Sequence, residues 1–308
     1  MAGAGTEAVN SNADKLDIQP PLAVLSLLAD AQIAAATVVR NALPEIAAAA
    51  ELAATRLSAG GRLFYAAAGS SGLMALADGL ELPGTYGIAR DRIVILIAGG
   101  EEALSNLAGA PEDSAEDAIA ELVANNLSAE DCLIAVSASG STPYAVAALH
   151  EARTRGAATI GIANNEGAAL LLGADVAIAL PTPPEMIAGS TRMGAGTAQK
   201  IALNMISTMI GIHLGHVHDG YMVNLFADNI KLRSRAAGIV AAISGCSKDA
   251  AVALLDRSGG SVKTAILLAA GAADADEAND ILARSGQKIR PALARLEEGS
   301  ARSYHNGT

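Results

Sequence analysis

The period of the apolar positions changes more than once along the chain. Residues 1–20 are polar and run into Pro20-Pro21, which predicts an extended arm. From Leu22 the positions Leu22, Leu25, Leu28, Ala29 and Ile33 fall at helical spacing, and a second helical run over Pro44–Leu57 stops at Gly60-Gly61. Short continuous apolar runs follow. Arg62–Ala68 breaks into Gly-Ser-Ser-Gly, Ile93–Ala98 into Gly-Gly, and Asp131–Ser137 into Ala-Ser-Gly-Ser-Thr-Pro. Thr159–Ala163 breaks into Asn-Asn-Glu-Gly and Val176–Leu180 into Pro-Thr-Pro-Pro. Helical stretches separate most of these runs. Continuous apolar strands alternating with helices predict an α/β fold, a parallel sheet covered by helices on both faces.

Beyond about Lys231 the strand pattern ends. Segments 235–244, 247–257, 261–271, 274–285 and 287–297 read as short helices parted by Gly or Ser. The expected organisation is an N-terminal arm with helices over 1–58, a sheet domain over 59–231, and a small helical domain over 232–299. Hydrophobic residues are 51% and aromatics only 2%, so the core is expected to be aliphatic and packed on Ala and Gly.

Charge narrows the function classes. Lys plus Arg total 21 against 32 Asp plus Glu, a net charge of −11, which argues against nucleic acid and anionic membranes as partners. The longest apolar helical run in this reading, Ile201–Leu214, carries Asn204, Ser207 and Thr208 and falls short of the ~20 residues a bilayer needs. The N-terminus has no basic segment followed by an apolar run, so no secretory signal is expected. Cys132 and Cys246 do not make a disulfide framework, and a reducing compartment is expected.

Two loops carry the candidate chemistry. Gly69-Ser70-Ser71-Gly72 follows one predicted strand, and Ser137-Ala138-Ser139-Gly140-Ser141-Thr142 follows another, with Pro143 where a helix should begin. Small residues let the backbone approach an anion, hydroxyls donate, and a helix N-terminus adds partial positive charge. A lone Gly/Ser turn after a strand is often only steric; two at equivalent junctions point to a phosphate. Neither matches a P-loop or G-x-G-x-x-G, which argues against ATP or NAD. His213, His216 and His218 are better read as histidines at a helix C-terminus than as a metal site.

The loops are similar to those of sugar isomerase (SIS) domains, which bind phosphosugars. GRLFYAAAGSSG, DGLELPGTYG, AGGEEAL, APEDS, SASGSTPY and PPEMIAGSTRMGAGTAQKIALNMIST together resemble the bacterial N-acetylmuramic acid 6-phosphate etherases, over nearly the whole chain. The resemblance implies a cytoplasmic lyase that removes D-lactate from C3 of the 6-phosphosugar by elimination and hydration, with no metal or organic cofactor. It implies a homodimer with shared sites, the arm of residues 1–20 being a candidate to cross to the partner. Glu81 falls on the family's acid for lactate departure, and Glu112 on its second catalytic glutamate, a base. Gly69, Ser70, Ser71, Gly72, Ser137, Ser139, Gly140, Ser141 and Thr142 fall on the phosphosugar loops. Glu185, Ser190, Thr191 and Arg192 fall on further substrate contacts, with Glu185 also a candidate base.

The chain departs from the family at three cationic positions, where Leu73, Ser141 and Gly194 stand, and at Gly109, where the family is acidic. Charge-assisted contacts are worth ~1.5–3 kcal/mol each. These departures leave room for an etherase acting on a related lactyl-ether sugar. A phosphosugar isomerase uses the same C2 proton without a leaving group, and the glucokinase regulatory protein, a distant relative, exemplifies a sugar-phosphate sensor. Retention of both Glu81 and Glu112 favours elimination.

Overall fold

In the computed structural model, which describes residues 5–107, 109–225 and 230–305, the chain forms two compact units. The first comprises residues up to Leu80 and Arg90–Met209; the second comprises Glu81–Ala89 and the residues from Ile210 onward.

In the first unit, helices α1 (Pro21–Val38) and α2 (Leu43–Ser58) precede the sheet. Strands β1 (Leu63–Ala67), β2 (Ile93–Ile97), β3 (Cys132–Ser137), β4 (Ala158–Ala163) and β5 (Val176–Ala179) are all parallel, in spatial order β2-β1-β3-β4-β5. Helices α3 (Gly69–Tyr86), α4 (Ala115–Ala124), α5 (Pro143–Thr154), α6 (Ala169–Leu172) and α7 (Gly194–His213) connect or follow them. β1, β3 and β4 are buried along their whole length, as near-continuous apolar runs require. Phe64, Ala66, Leu133 and Ala135 turn to one face, against Ala118 and Leu122 of α4 and Tyr144, Ala145, Ala148 and Leu149 of α5.

The alternate residue Tyr65 turns the other way. Its hydroxyl donates to Asp78 Oδ2 of α3 at 2.8 Å, while Asn204 and Ser207 of α7 donate to Asp78 Oδ1 at 2.7 and 2.8 Å. This carboxylate is buried and so must be satisfied from within. It pins α3 and α7 to the sheet, and it pushes the Tyr65 phenol, already disfavoured by burial, further above its ordinary pKa.

The helical stretch Pro21–Ser58 is longer than the Ile201–Leu214 run and contains an 18-residue window of high mean hydropathy. By length and composition alone it could cross a membrane. It is continuous because Val39–Ala42 winds as a 3-10 turn that carries the helix past Pro44. Its second half is a core helix: Ile46, Ala49, Ala50, Ala53, Ala54 and Leu57 of α2 are buried. Its first half leaves Leu22, Leu25 and Ile33 of α1 exposed.

The second unit holds a feature absent from the sequence reading, a two-stranded hairpin of β6 (Val217–His218) and β7 (Tyr221–Met222). Asp219 and Gly220 both take positive φ, 46° and 79°, the backbone of a tight type I′ turn. Helices α8 (Ile230–Ser244), α9 (Lys248–Arg257), α10 (Val262–Ala269), α11 (Ala275–Arg284) and α12 (Ile289–His305) follow. Ser247, Ser261 and Asp274 cap α9, α10 and α11 through their side-chain oxygens.

Lys263 of α10 is buried among these helices, and its ammonium donates to the Gln287 carbonyl at 3.0 Å. Burial lowers its pKa from 10.5 to about 8. Burial and the Lys263 charge together lower His216 from 6.5 to about 4. A lysine whose folded pKa lies below its unfolded value destabilises the fold while both states are charged. That cost is relieved as pH rises from about 8 to 10.5. Equilibrium unfolding followed between these values is expected to show stability rising by up to about 3 kcal/mol, a rise that Lys263→Met should abolish; an equal rise in the variant would refute the assignment.

Candidate active site

In a parallel sheet of this strand order the chain leaves β1 toward one edge and returns to β3 on the other side. The crevice between the two strands is where ligands of such sheets bind. Both Gly/Ser loops open there. Gly69–Gly72 forms the first turn of α3, and Ser137–Thr142 leads into α5, which begins at Pro143. The N–H groups of these first turns lack intrahelical partners and offer an anion its donors.

The second loop is wired internally. Ser137 Oγ accepts from the Gly140 N–H at 3.0 Å and lies 2.8 Å from Thr142 Oγ1 and 3.3 Å from Ser139 Oγ. Ser139 Oγ in turn accepts from Ser141 N–H at 3.2 Å and Ser141 Oγ at 3.1 Å. Buried Ser137 therefore shapes the loop, while Ser141 stands exposed at its tip. Gly140 is obligatory twice over: φ is +68°, and a methyl there would meet Ala168 Cβ at 2.4 Å.

Glu112 arrives from a separate connection. After β2 the chain makes a 3-10 turn over Ala110–Asp113, with Pro111 packed against Gly99. This sets the Glu112 carboxylate against the first loop, so close that a methyl on Gly69 would lie 2.7 Å from Oε1. Gly69, at φ +53°, has no side chain to obstruct it. Burial, helped by the neighbouring Asp113 charge, raises the Glu112 pKa above its ordinary 4.5. A half-buried carboxylate of raised basicity, touching a phosphate-type loop, is a candidate for moving a proton at that loop.

Glu185 has a different occupation. It is buried, and its two oxygens accept from the N–H groups of Gly194 and Ala195 at 2.9 Å each. It therefore caps the N-terminus of α7. Gly194 suits this cap, since a methyl there would approach the Glu185 oxygens to 3.1–3.3 Å. Ser190 and Thr191 lie half-buried in the turn before α7, and Arg192 is exposed. Glu81 lies within the last turns of α3, exposed and in the second unit. Ser70 and Ser71 sit in the first turn of α3, Ser71 buried, and Leu73 is half-buried one residue past Gly72.

Two residues that motif reading passed over also shape the site. Asn164, buried after β4, donates to the Leu180 carbonyl at 3.1 Å and Thr182 Oγ1 at 3.3 Å, and accepts from Gln199 Nε2 at 2.9 Å. Asn165 donates to the Ser139 carbonyl at 3.2 Å. Their signal was position: two consecutive amides at the carboxyl end of a central strand. Among the described residues no group of three His, Cys, Asp or Glu side chains converges as a metal site would require. His213 ends α7 and His218 lies in β6.

The SIS domain family matches residues 103–209, and the glucokinase regulatory protein N-terminal SIS domain matches residues 45–153. The N-acetylmuramic acid 6-phosphate etherase of Deinococcus radiodurans is 42% identical over 292 residues, covering 95% of this chain and 96% of that protein. The enzyme of the same name from Streptomyces coelicolor is 42% identical, covering 94% and 93%. That of Symbiobacterium thermophilum is 49% identical, covering 77% and 78%. Among solved structures, a phosphoheptose isomerase from Francisella tularensis is 21% identical, with a TM-score of 0.49 over 63% of this chain and all (100%) of that one.

Removal of the Glu185 cap should leave two buried N–H groups without acceptors. Glu185→Ala is expected to cost about 1–3 kcal/mol in denaturant unfolding, and Glu185→Gln, which keeps one oxygen, less. Equal stability of wild type and both variants would contradict the cap.

Proposed function

The chain belongs to the N-acetylmuramic acid 6-phosphate etherase family, and we propose that Glu112 is the base of its reaction. The enzyme cleaves the C3 D-lactyl ether of N-acetylmuramic acid 6-phosphate, giving N-acetylglucosamine 6-phosphate and D-lactate. With the sugar ring open, the C1 aldehyde acidifies the C2 proton. Glu112 takes that proton, the C3–O bond breaks, and the departing lactyl oxygen receives a proton from an acid. Water then adds across the resulting C2–C3 double bond, returning hydroxyl to C3 and a proton to C2.

The observation that carries this reading is the contact of the Glu112 carboxylate with Gly69, the first residue of a phosphate-type loop. A base there lies beside whatever the loop holds, and its raised pKa keeps it basic enough to accept a carbon-bound proton. In this reading the phosphate is taken by the loops Gly69–Gly72 and Ser137–Thr142, through N–H groups at the start of α3 and the hydroxyls of Ser70, Ser139, Ser141 and Thr142. Ser190, Thr191 and Arg192 line the sugar, Arg192 as its cation. Glu81 supplies the acid. Glu185 serves by holding the start of α7 in place. A homodimer with shared sites belongs to the same proposal, and the exposed Leu22, Leu25 and Ile33 of α1 support it as a surface a second subunit would cover. A cytoplasmic location is proposed as well, and two free cysteines are consistent with it.

Lactate release from N-acetylmuramic acid 6-phosphate is the first test, and Glu112→Gln is expected to lower kcat by roughly 10²–10⁴-fold with the fold intact. A variant that releases lactate at the wild-type rate would remove Glu112 from the role. The pH profile gives a second test. A general base must be ionised, so activity falls as pH drops through its pKa. Because that pKa is raised, the acid limb should lie above the ordinary carboxylate range. Asp113→Asn removes the neighbouring like charge and should move the limb to lower pH, burial keeping part of the shift; an upward move would contradict this account.

A further inference from the structure

The N-terminal arm has chemistry of its own. Residues 5–18 wind through three short 3-10 turns, and Thr6 is only 1% exposed. The Thr6 N–H donates to Asn165 Oδ1 at 3.1 Å, and Thr6 Oγ1 accepts from Asn165 Nδ2 at 3.1 Å. The same Nδ2 donates to the Ser139 carbonyl, inside the second Gly/Ser loop. Gly5 packs against the same amide: a methyl there would come 2.5 Å from Asn165 Oδ1 and would have to displace it. Four residues on from Thr6, Asn10 Nδ2 donates to the Pro184 carbonyl at 2.7 Å, next to Glu185. Asn10 Oδ1 accepts from the Asn12 N–H at 2.9 Å, so both ends of that amide are used. Between these anchors the Glu7 carboxylate lies beside Gly189, 3.3 Å from where a methyl would stand.

The arm therefore packs on its own chain and touches two separate segments: the connection after β4, where Asn165 reaches on to the loop after β3, and the connection from β5 to α7. We propose that Thr6 and Asn10 are positioning residues for the phosphosugar, through a strap that holds Ser139 and the Pro184–Gly189 segment in their receiving geometry. Loops of small residues have many conformations to lose on binding, and each ordered residue costs free energy. Two anchors made at folding remove part of that cost from the binding step. Thr6 does so through Asn165: without its hydroxyl, the amide that holds the Ser139 carbonyl loses one of its fixed partners.

The effect on substrate rests on the etherase reading, so the test has two arms. Thr6→Val keeps the shape and removes the hydroxyl, Thr6→Ser restores it, and Asn10→Ala releases the other anchor. In the full chain without substrate, amide exchange of Gly140 and Ser141 should speed up about five- to tenfold in Thr6→Val, the worth of one hydrogen bond, and return to wild type in Thr6→Ser. With N-acetylmuramic acid 6-phosphate, KM should rise by about the same factor while kcat changes less than about twofold. Asn10→Ala should raise KM in the same way. Exchange and KM both at wild-type values in the Thr6→Val, Asn10→Ala double variant would overturn the strap, and so would faster exchange with unchanged KM. The exchange arm decides on the loop even if the enzyme proves inactive on that sugar.

Discussion

The pairing of β1 with β3 fixes where everything else can be. At the amino ends of the two strands, buried Asp131 accepts from the Arg62 backbone N–H at 2.8 Å and from its guanidinium at 3.0 Å. From there the register runs from Leu63 opposite Cys132 to Ala67 opposite Val136. Both strands therefore deliver their loops to the same edge of the sheet at the same level. A slip of one residue would turn Phe64 and Leu133 away from their partners in α4 and α5, so the core enforces the register that the loops need.

The edge so formed handles charge without local excess of cations. Net charge is −11, and of the residues assigned to substrate only Arg192 is cationic. In the proposed site, N–H groups at the helix starts and the loop hydroxyls would carry most of the anion's hydrogen bonding. The start of α7 is already taken by Glu185, an internal carboxylate in the place an external anion would otherwise occupy. Glu112 has the complementary situation. It lies against the first loop, partly shielded from water, and burial with the neighbouring Asp113 charge raises its basicity.

Features written in local sequence were legible before the structure. The five strands, the breaks into glycine and serine, and the helix beginning at Pro143 all follow from patterns within a few residues. The Asp219-Gly220 turn is also a local signal, but its flanking strands are two residues long and escape a search for longer alternating runs. What could not be read depends on distant pairs. Glu112 meets Gly69 only because β2 lies beside β1, and Thr6 meets Asn165 across 159 residues of chain. Motif matching singled out Glu185 as chemistry. Its role as a cap required knowing that the connection after β5 turns back onto α7. The placement of Glu81 inside a helix was equally hidden, because α3 runs on through Pro83, a residue that usually ends one.

The proposed mechanism turns on proton exchange between the Glu112 carboxylate, beside the first Gly/Ser loop, and C2 of a 6-phosphosugar. It can be measured without the leaving group, by incubating N-acetylglucosamine 6-phosphate with the enzyme in D2O and following the C2 hydrogen by NMR. The wild-type enzyme is expected to replace that hydrogen with deuterium, and the Glu112→Gln variant is expected to leave it in place. Exchange at the wild-type rate in the variant would contradict the mechanism.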